Sequence, residues 1–220
     1  MPTELFFPGT VATQATAFGS TLPTPTGGIA DWATMANAVG AAYAAMDDGS
    51  FAVGPSQNSA TAQTARVLIL TNMLRVADAT AIASVIPQSA ILTGLRYFLN
   101  VKADVGNRLQ WYGQIRSHTA AGARGCREGA LTITTTDTKA WLEIPRRAGS
   151  GAIFGSDLGT VNNGAWNMAD LRGTGFGIAL VSYSNSASAA ISSLDGLRCE
   201  VDYRVPGGNR TRMVGRVRGR

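Results

Sequence analysis

A metal site of the His/Cys type in this chain would have to be built from one histidine, His118, and two cysteines, Cys126 and Cys199. His118 has no cysteine or carboxylate at ligand spacing, which removes a metal site of the usual His/Cys type. The cysteines lie 73 residues apart, a separation that fits no zinc or redox motif. They read as two buried free thiols, and a disulfide would require their two strands to meet. Counting leaves room for a Ser-His-Asp triad, but no GxSxG elbow accompanies the histidine. The glycine-rich pieces GSGAIFGSDLG and RGTGFG lack the lysine of a phosphate loop and open no clear helix, so they read as turns. Hydrolysis of a glycoside needs two acids facing one cleft. The acids here sit mostly in turn-like settings such as Asp47-Asp48-Gly49, Ser156-Asp157 and Leu194-Asp195-Gly196. Aromatic side chains at Trp111, Tyr112 and Trp141 could bind a sugar if exposed, and otherwise belong to a core or interface. No catalytic residue, cofactor or metal is expected.

The elements that would position any site are strands. Hydrophobic residues make up 45% of the 220-residue chain and charged residues only 15%. That charge content is well under the roughly 25% usual for a soluble domain, so part of the surface is expected to be covered by something else. TARVLILTNM, residues 64–73, reads as a buried strand from its β-branched content and length. Residues 81–105 carry two further strands around a Pro87-Gln88-Ser89 turn. In the second of these, Leu95, Tyr97, Leu99 and Val101 alternate with Arg96, Phe98, Asn100 and Lys102, giving one apolar and one mostly polar face. RLQWYGQIRSH continues the pattern, residues 129–145 hold two more short strands, and residues 147–164 form a long glycine-rich loop. FGIALVSYS and LRCEVDYRV close the chain. Seven or more short strands separated by turn signals predict an all-β fold, an antiparallel β-sandwich or jelly roll. A doubly wound parallel sheet would need helices between strands, and the pattern offers almost none.

The ends differ from the body. Residues 1–30 contain four prolines and no helical period, with apolar anchors at Leu5, Phe6, Phe7 and Phe18. Three consecutive large apolar residues sit badly in water, so this segment reads as an extended arm that docks on a neighbouring subunit. Residues 31–53 are either a short alanine-rich helix or irregular with a DDGS turn. The last fourteen residues hold Arg210, Arg212, Arg216, Arg218 and Arg220 and no acid, which accounts for the whole net charge of +5. A basic extension on a neutral body suits an acidic partner. Without aromatics for base stacking, a protein groove fits it better than nucleic acid. No charged, apolar leader opens the sequence, and no apolar run reaches the roughly 18 residues of a membrane helix. Synthesis in the cytoplasm and a soluble life before assembly are expected.

Three pieces taken together carry a resemblance. DWATMANAV is followed by DDGSFAV over residues 31–53. VIPQSAILTGL stands at residues 85–95. Trp166, GFGIALVSYSNS and LDGLRCEVDYRV then follow in order. In this the chain resembles β-sandwich modules in structural proteins of tailed bacteriophages, over about 175 residues from Asp31 to Val205. The Asp195-Gly196 pair is offset from that pattern's aspartate–valine, and the alanine-rich segment is longer. The resemblance implies a virion location after synthesis in the host cytoplasm. It also implies a non-enzymatic role covering the head or forming part of a neck, collar or tail. The partners it implies are other virion proteins and copies of the chain itself. The expected organisation is a docking arm (residues 1–30), a β-sandwich domain (31–205) and a basic tail (206–220). A carbohydrate-binding module for a host glycan is the alternative from another class.

Overall fold

The computed structural model describes residues 3–14, 52–53, 67–106, 108–116, 118, 131–132, 140–143, 168–184 and 186–206. The strands are β1 (Thr3–Gln14), β2 (Ala52–Val53), β3 (Val67–Arg75), β4 (Ile91–Ala103), β5 (Leu109–Arg116), β6 (Leu131–Thr132), β7 (Ala140–Glu143), β8 (Gly177–Ser184) and β9 (Ser192–Arg204). Two single-turn helices, α1 (Ile82–Val85) and α2 (Met168–Leu171), complete the described elements. The fold is all-β and every strand pairing is antiparallel. The strands join one sheet in the order β6-β5-β8-β3-β1-β9-β4-β7, with β2 on β9.

The sheet curls, and two hydrogen bonds measure how far. Three strands separate β4 from β8, a distance of about 19 Å on a flat sheet. Yet Tyr97 Oη on β4 donates to the Gly177 carbonyl on β8 at 3.1 Å. Ser182 Oγ on β8 meets Ser192 Oγ on β9 at 2.8 Å across two intervening strands. The concave side holds the core: Phe6, Leu68, Leu70, Leu95, Tyr97, Leu99, Leu109, Trp111, Ile178, Leu180, Leu197, Cys199 and Val201. Ile82 and Ile86 around α1, and Met168 and Leu171 from α2, bury into the same cluster.

β4 and β9 follow the alternation of the sequence. Leu95, Tyr97, Leu99 and Val101 are buried, while Arg96, Phe98 and Lys102 stay partly exposed; Asn100, expected on the polar face, is instead buried and donates through Nδ2 to Asp195 Oδ2 at 3.1 Å. On that outer face Arg96 forms an ion pair with Glu200 at 2.5 Å. Arg96 and Arg198 both approach the Phe98 ring, at 6.0 and 5.3 Å from its centroid, inside the range of a cation–π contact. Gly94 follows a register shift between Leu92 and Gly94, which is a β-bulge.

β1 and β3 change phase partway. Their pairing runs Phe6↔Arg75, Phe7↔Leu74, Pro8↔Met73, skips one pair, and resumes in the same register at Thr10↔Thr71 and Val11↔Leu70. At the skip Asn72 has φ 58°, the left-handed region that Asn tolerates better than most residues. The skip turns both strands over together. Leu68, Leu70 and Met73 therefore all reach the core despite their uneven spacing. Phe7, Ile69, Ala179 and Val181 alternate to the opposite face and are buried there as well.

Two expectations are corrected. Residues 3–14 are not an arm: they form an inner strand between β3 and β9, and the boundary expected at residue 30 cuts through the sheet. Phe6 and Phe7 are wholly buried in the chain's own fold, because a strand covered on both faces reads as a continuous apolar run. Residues 82–85 are a helical turn rather than a strand. The segments read as helix-or-turn (31–53, apart from β2), as a glycine-rich loop (147–164) and as a basic tail lie outside the described residues, the tail from residue 207 onward.

Candidate functional site

Beside the phase change in β3 a cleft of about 280 Å³ opens between α1, β3 and the segment joining α2 to β8. Asn72, Met73, Ala81, Ile82, Ala83, His118, Arg172, Gly173 and Thr174 line it.

Each wall is fixed by a local cause. Asn72 N–H donates to the Thr174 carbonyl at 2.9 Å, so the left-handed residue holds the α2–β8 connection against β3. His118 follows β5, and its backbone N–H donates to the Asp170 carbonyl of α2 at 2.8 Å. Gly175 N–H donates to His118 Nδ1 at 3.2 Å. That bond makes Nδ1 the acceptor and assigns the proton of the neutral ring to Nε2. Gly173 lies against the imidazole so closely that a Cβ there would fall 2.0 Å from its Cδ2. The RGTGFG segment is therefore a turn, as its sequence suggested, and it is built around the histidine.

Arg172 ties the cleft together. Its guanidinium donates to Gln88 Oε1 through Nη1 and to the Ala83 carbonyl through Nη2 at 2.5 Å, joining the end of α2 to α1 and the following turn. Both acceptors are neutral, and its Nε is buried with no hydrogen-bond partner among the described residues. The cleft thus presents a cationic group, an imidazole N–H and an apolar wall of Met73 and Ile82, the last two nearly fully buried.

Of the interface residues expected from sequence, Leu5 is half-buried on β1, and Phe6 and Phe7 are interior. Phe18, Arg210, Arg212, Arg216, Arg218 and Arg220 lie outside the described residues. Trp111 is wholly buried, so it is a core residue and offers no face to a sugar. The side chains of Tyr112 and Trp141 are also outside the described residues. Cys199 is a free, buried thiol, and Cys126 lies outside the described residues. Burial pushes the ionisation of Cys199 far above the ordinary thiol range. Among the described residues no group of three or more His, Cys, Asp or Glu could hold a metal ion.

Arg172 and Asn72 were not singled out from sequence. For Asn72 a signal was present: the interval from Leu70 to Met73 breaks the two-residue period of Leu68 and Leu70, and the left-handed backbone at Asn72 accounts for it. Arg172 gave none, because its partners are distant in sequence. Comparison with family models, with curated proteins and with solved structures finds no match to this chain.

Proposed function

We propose that this chain is a structural protein of a tailed-bacteriophage virion. In this reading it is a non-enzymatic β-sandwich building block on the particle exterior, part of the head decoration or of the neck, collar or tail. The order of its sequence motifs supports the reading, and the sheet carries it physically. The margins of the described sheet are β6 and β7, strands of two and four residues. β5 pairs with β6 over only two positions and β4 with β7 over four, although β5 and β4 run for eight and thirteen residues. The edges of a sheet are where another chain can add by strand pairing. A second copy of this protein is the partner that suits them. The strand-to-strand contacts of Tyr97 and Ser182 support a two-layered, sandwich-like wrapping of the curled sheet.

Phe6 and Phe7 do not serve docking, because they are used inside the fold. The basic residues Arg210 to Arg220 remain as the docking device. The test compares the full chain with a form ending at Val205, by light scattering and by co-sedimentation with phage particles lacking this protein. The full chain is expected to assemble and to bind particles, and the shortened form to fold but bind far more weakly. If the full chain stays monomeric and ignores the particles, the structural reading is wrong.

A further inference from the structure

We propose that the cleft between α1, β3 and the α2–β8 connection is a binding site for a small carboxylate with a short hydrocarbon body. The inference goes beyond the virion role and does not depend on it.

Three observations carry it. The first is charge. Arg172 is clamped by Gln88 and by the Ala83 carbonyl, both neutral, and among the described residues no acid lines the cleft. A part-buried guanidinium satisfied only by neutral acceptors leaves a positive field in a region of lowered dielectric, where an anion is favoured. The second is a preset donor. His118 is committed through Nδ1 to Gly175, which leaves the ring Nε2–H for a ligand oxygen. The third is the wall of Met73, Ala81, Ile82 and Ala83, apolar and without charge. A carboxylate at the Arg172–His118 end with carbons along this wall satisfies both halves. At about 280 Å³ the cleft lies at the lower edge of the size range of ligand pockets, which suits a body of a few carbons. The left-handed Asn72 at its margin is the kind of backbone outlier that clusters at ligand sites.

The chain contains a single histidine, so the imidazole nitrogens of the full-length protein give one set of nuclear magnetic resonance signals. Butyrate is the probe. Butanol serves as a neutral analogue of similar shape, and chloride at equal ionic strength tests simple screening. The proposal expects a saturable shift of the His118 Nε2 signal with butyrate, and no saturable shift with butanol or chloride. In Arg172→Gln the affinity for butyrate should fall roughly tenfold or more, the usual weight of a charged partner. The three ligands on the unaltered protein decide the matter even if that variant fails to fold. A flat butyrate titration overturns the site. An equal response to butanol reduces it to an apolar crevice, and an equal response to chloride to non-specific anion screening; either result overturns the proposal.

Discussion

The β4–β9 pair and the β1–β3–β8 group are built from the same kinds of residue, yet they sit in the sheet differently. β4 alternates over residues 95–99 and β9 over residues 197–204, with one face in the core and the other carrying Arg96, Phe98, Arg198 and Glu200 in mutual contact. β1, β3 and β8 are buried on both faces, with Phe6, Leu68 and Ile178 on one side and Phe7, Ile69 and Ala179 on the other. The comparison shows that consecutive large apolar residues such as Leu5-Phe6-Phe7 can mark the middle of a sheet as well as a sticky arm. The physical reason is the two-residue period of a strand: adjacent side chains point to opposite faces, so burying both faces requires apolar residues in succession.

Removing β1 should break this difference most completely. A form beginning at residue 15 would leave the facing edges of β3 and β9 unpaired and lose both phenylalanines from the interior. We expect no cooperative thermal transition by circular dichroism; a cooperatively folded, monomeric product would return β1 to the role of an arm. The next largest contrast is between side chains. Phe6→Ala should cost about 3–5 kcal/mol in urea denaturation, as for a large core aromatic. Phe98→Ala on the outer face, which loses partial burial and its arginine contacts, should cost roughly 1 kcal/mol.

Two glycines sharpen the point further. A Cβ at Gly177 would fall 1.9 Å from the Leu70 carbonyl oxygen, a backbone atom of the paired strand. A Cβ at Gly94 would meet the Asp202 side chain, its nearest oxygen at 2.6 Å, and a carboxylate can rotate away. Gly177→Ala is therefore expected to destabilise by about 3 kcal/mol or more and Gly94→Ala by about 1 kcal/mol. Equal losses in denaturant would contradict the close β3–β8 approach. The smallest effect lies at the end of β3. Asp78 accepts hydrogen bonds from Arg75 and from the Thr80 backbone, and these hold its carboxyl below the ordinary range. A depressed acid contributes stability above its unfolded value and loses it as pH falls through the folded one. Asp78→Asn should thus lower the melting temperature slightly at neutral pH. The gap to the parent should close in strong acid. Because the pair lies at the surface, with Asp78 exposed and Arg75 partly so, a large gap would be out of proportion.

Much of the fold was legible in sequence. The alternation in β4, the apolar run of β3 and the closing pair β8 and β9 fell where their periods placed them, because side-chain period is a local property of the backbone. The break between Leu70 and Met73 was equally visible, although only the left-handed backbone at Asn72 accounts for it. The candidate cleft was not legible. His118 stood out by its rarity, but Arg172, Asn72 and Gln88 reach it from three separate parts of the chain.

By itself the sequence determined the class of fold, the strands from β3 onward, the apolar face of β4, and the concentration of positive charge in the last fourteen residues. Tertiary structure decided which neighbours those strands took. It seated the first strand in the middle of the sheet and curled the sheet until Tyr97 reached Gly177. It also gathered an arginine, a histidine and an apolar wall around one cleft. Period and composition act within a few residues along the chain, whereas strand order and cleft geometry follow from contacts between segments far apart in it.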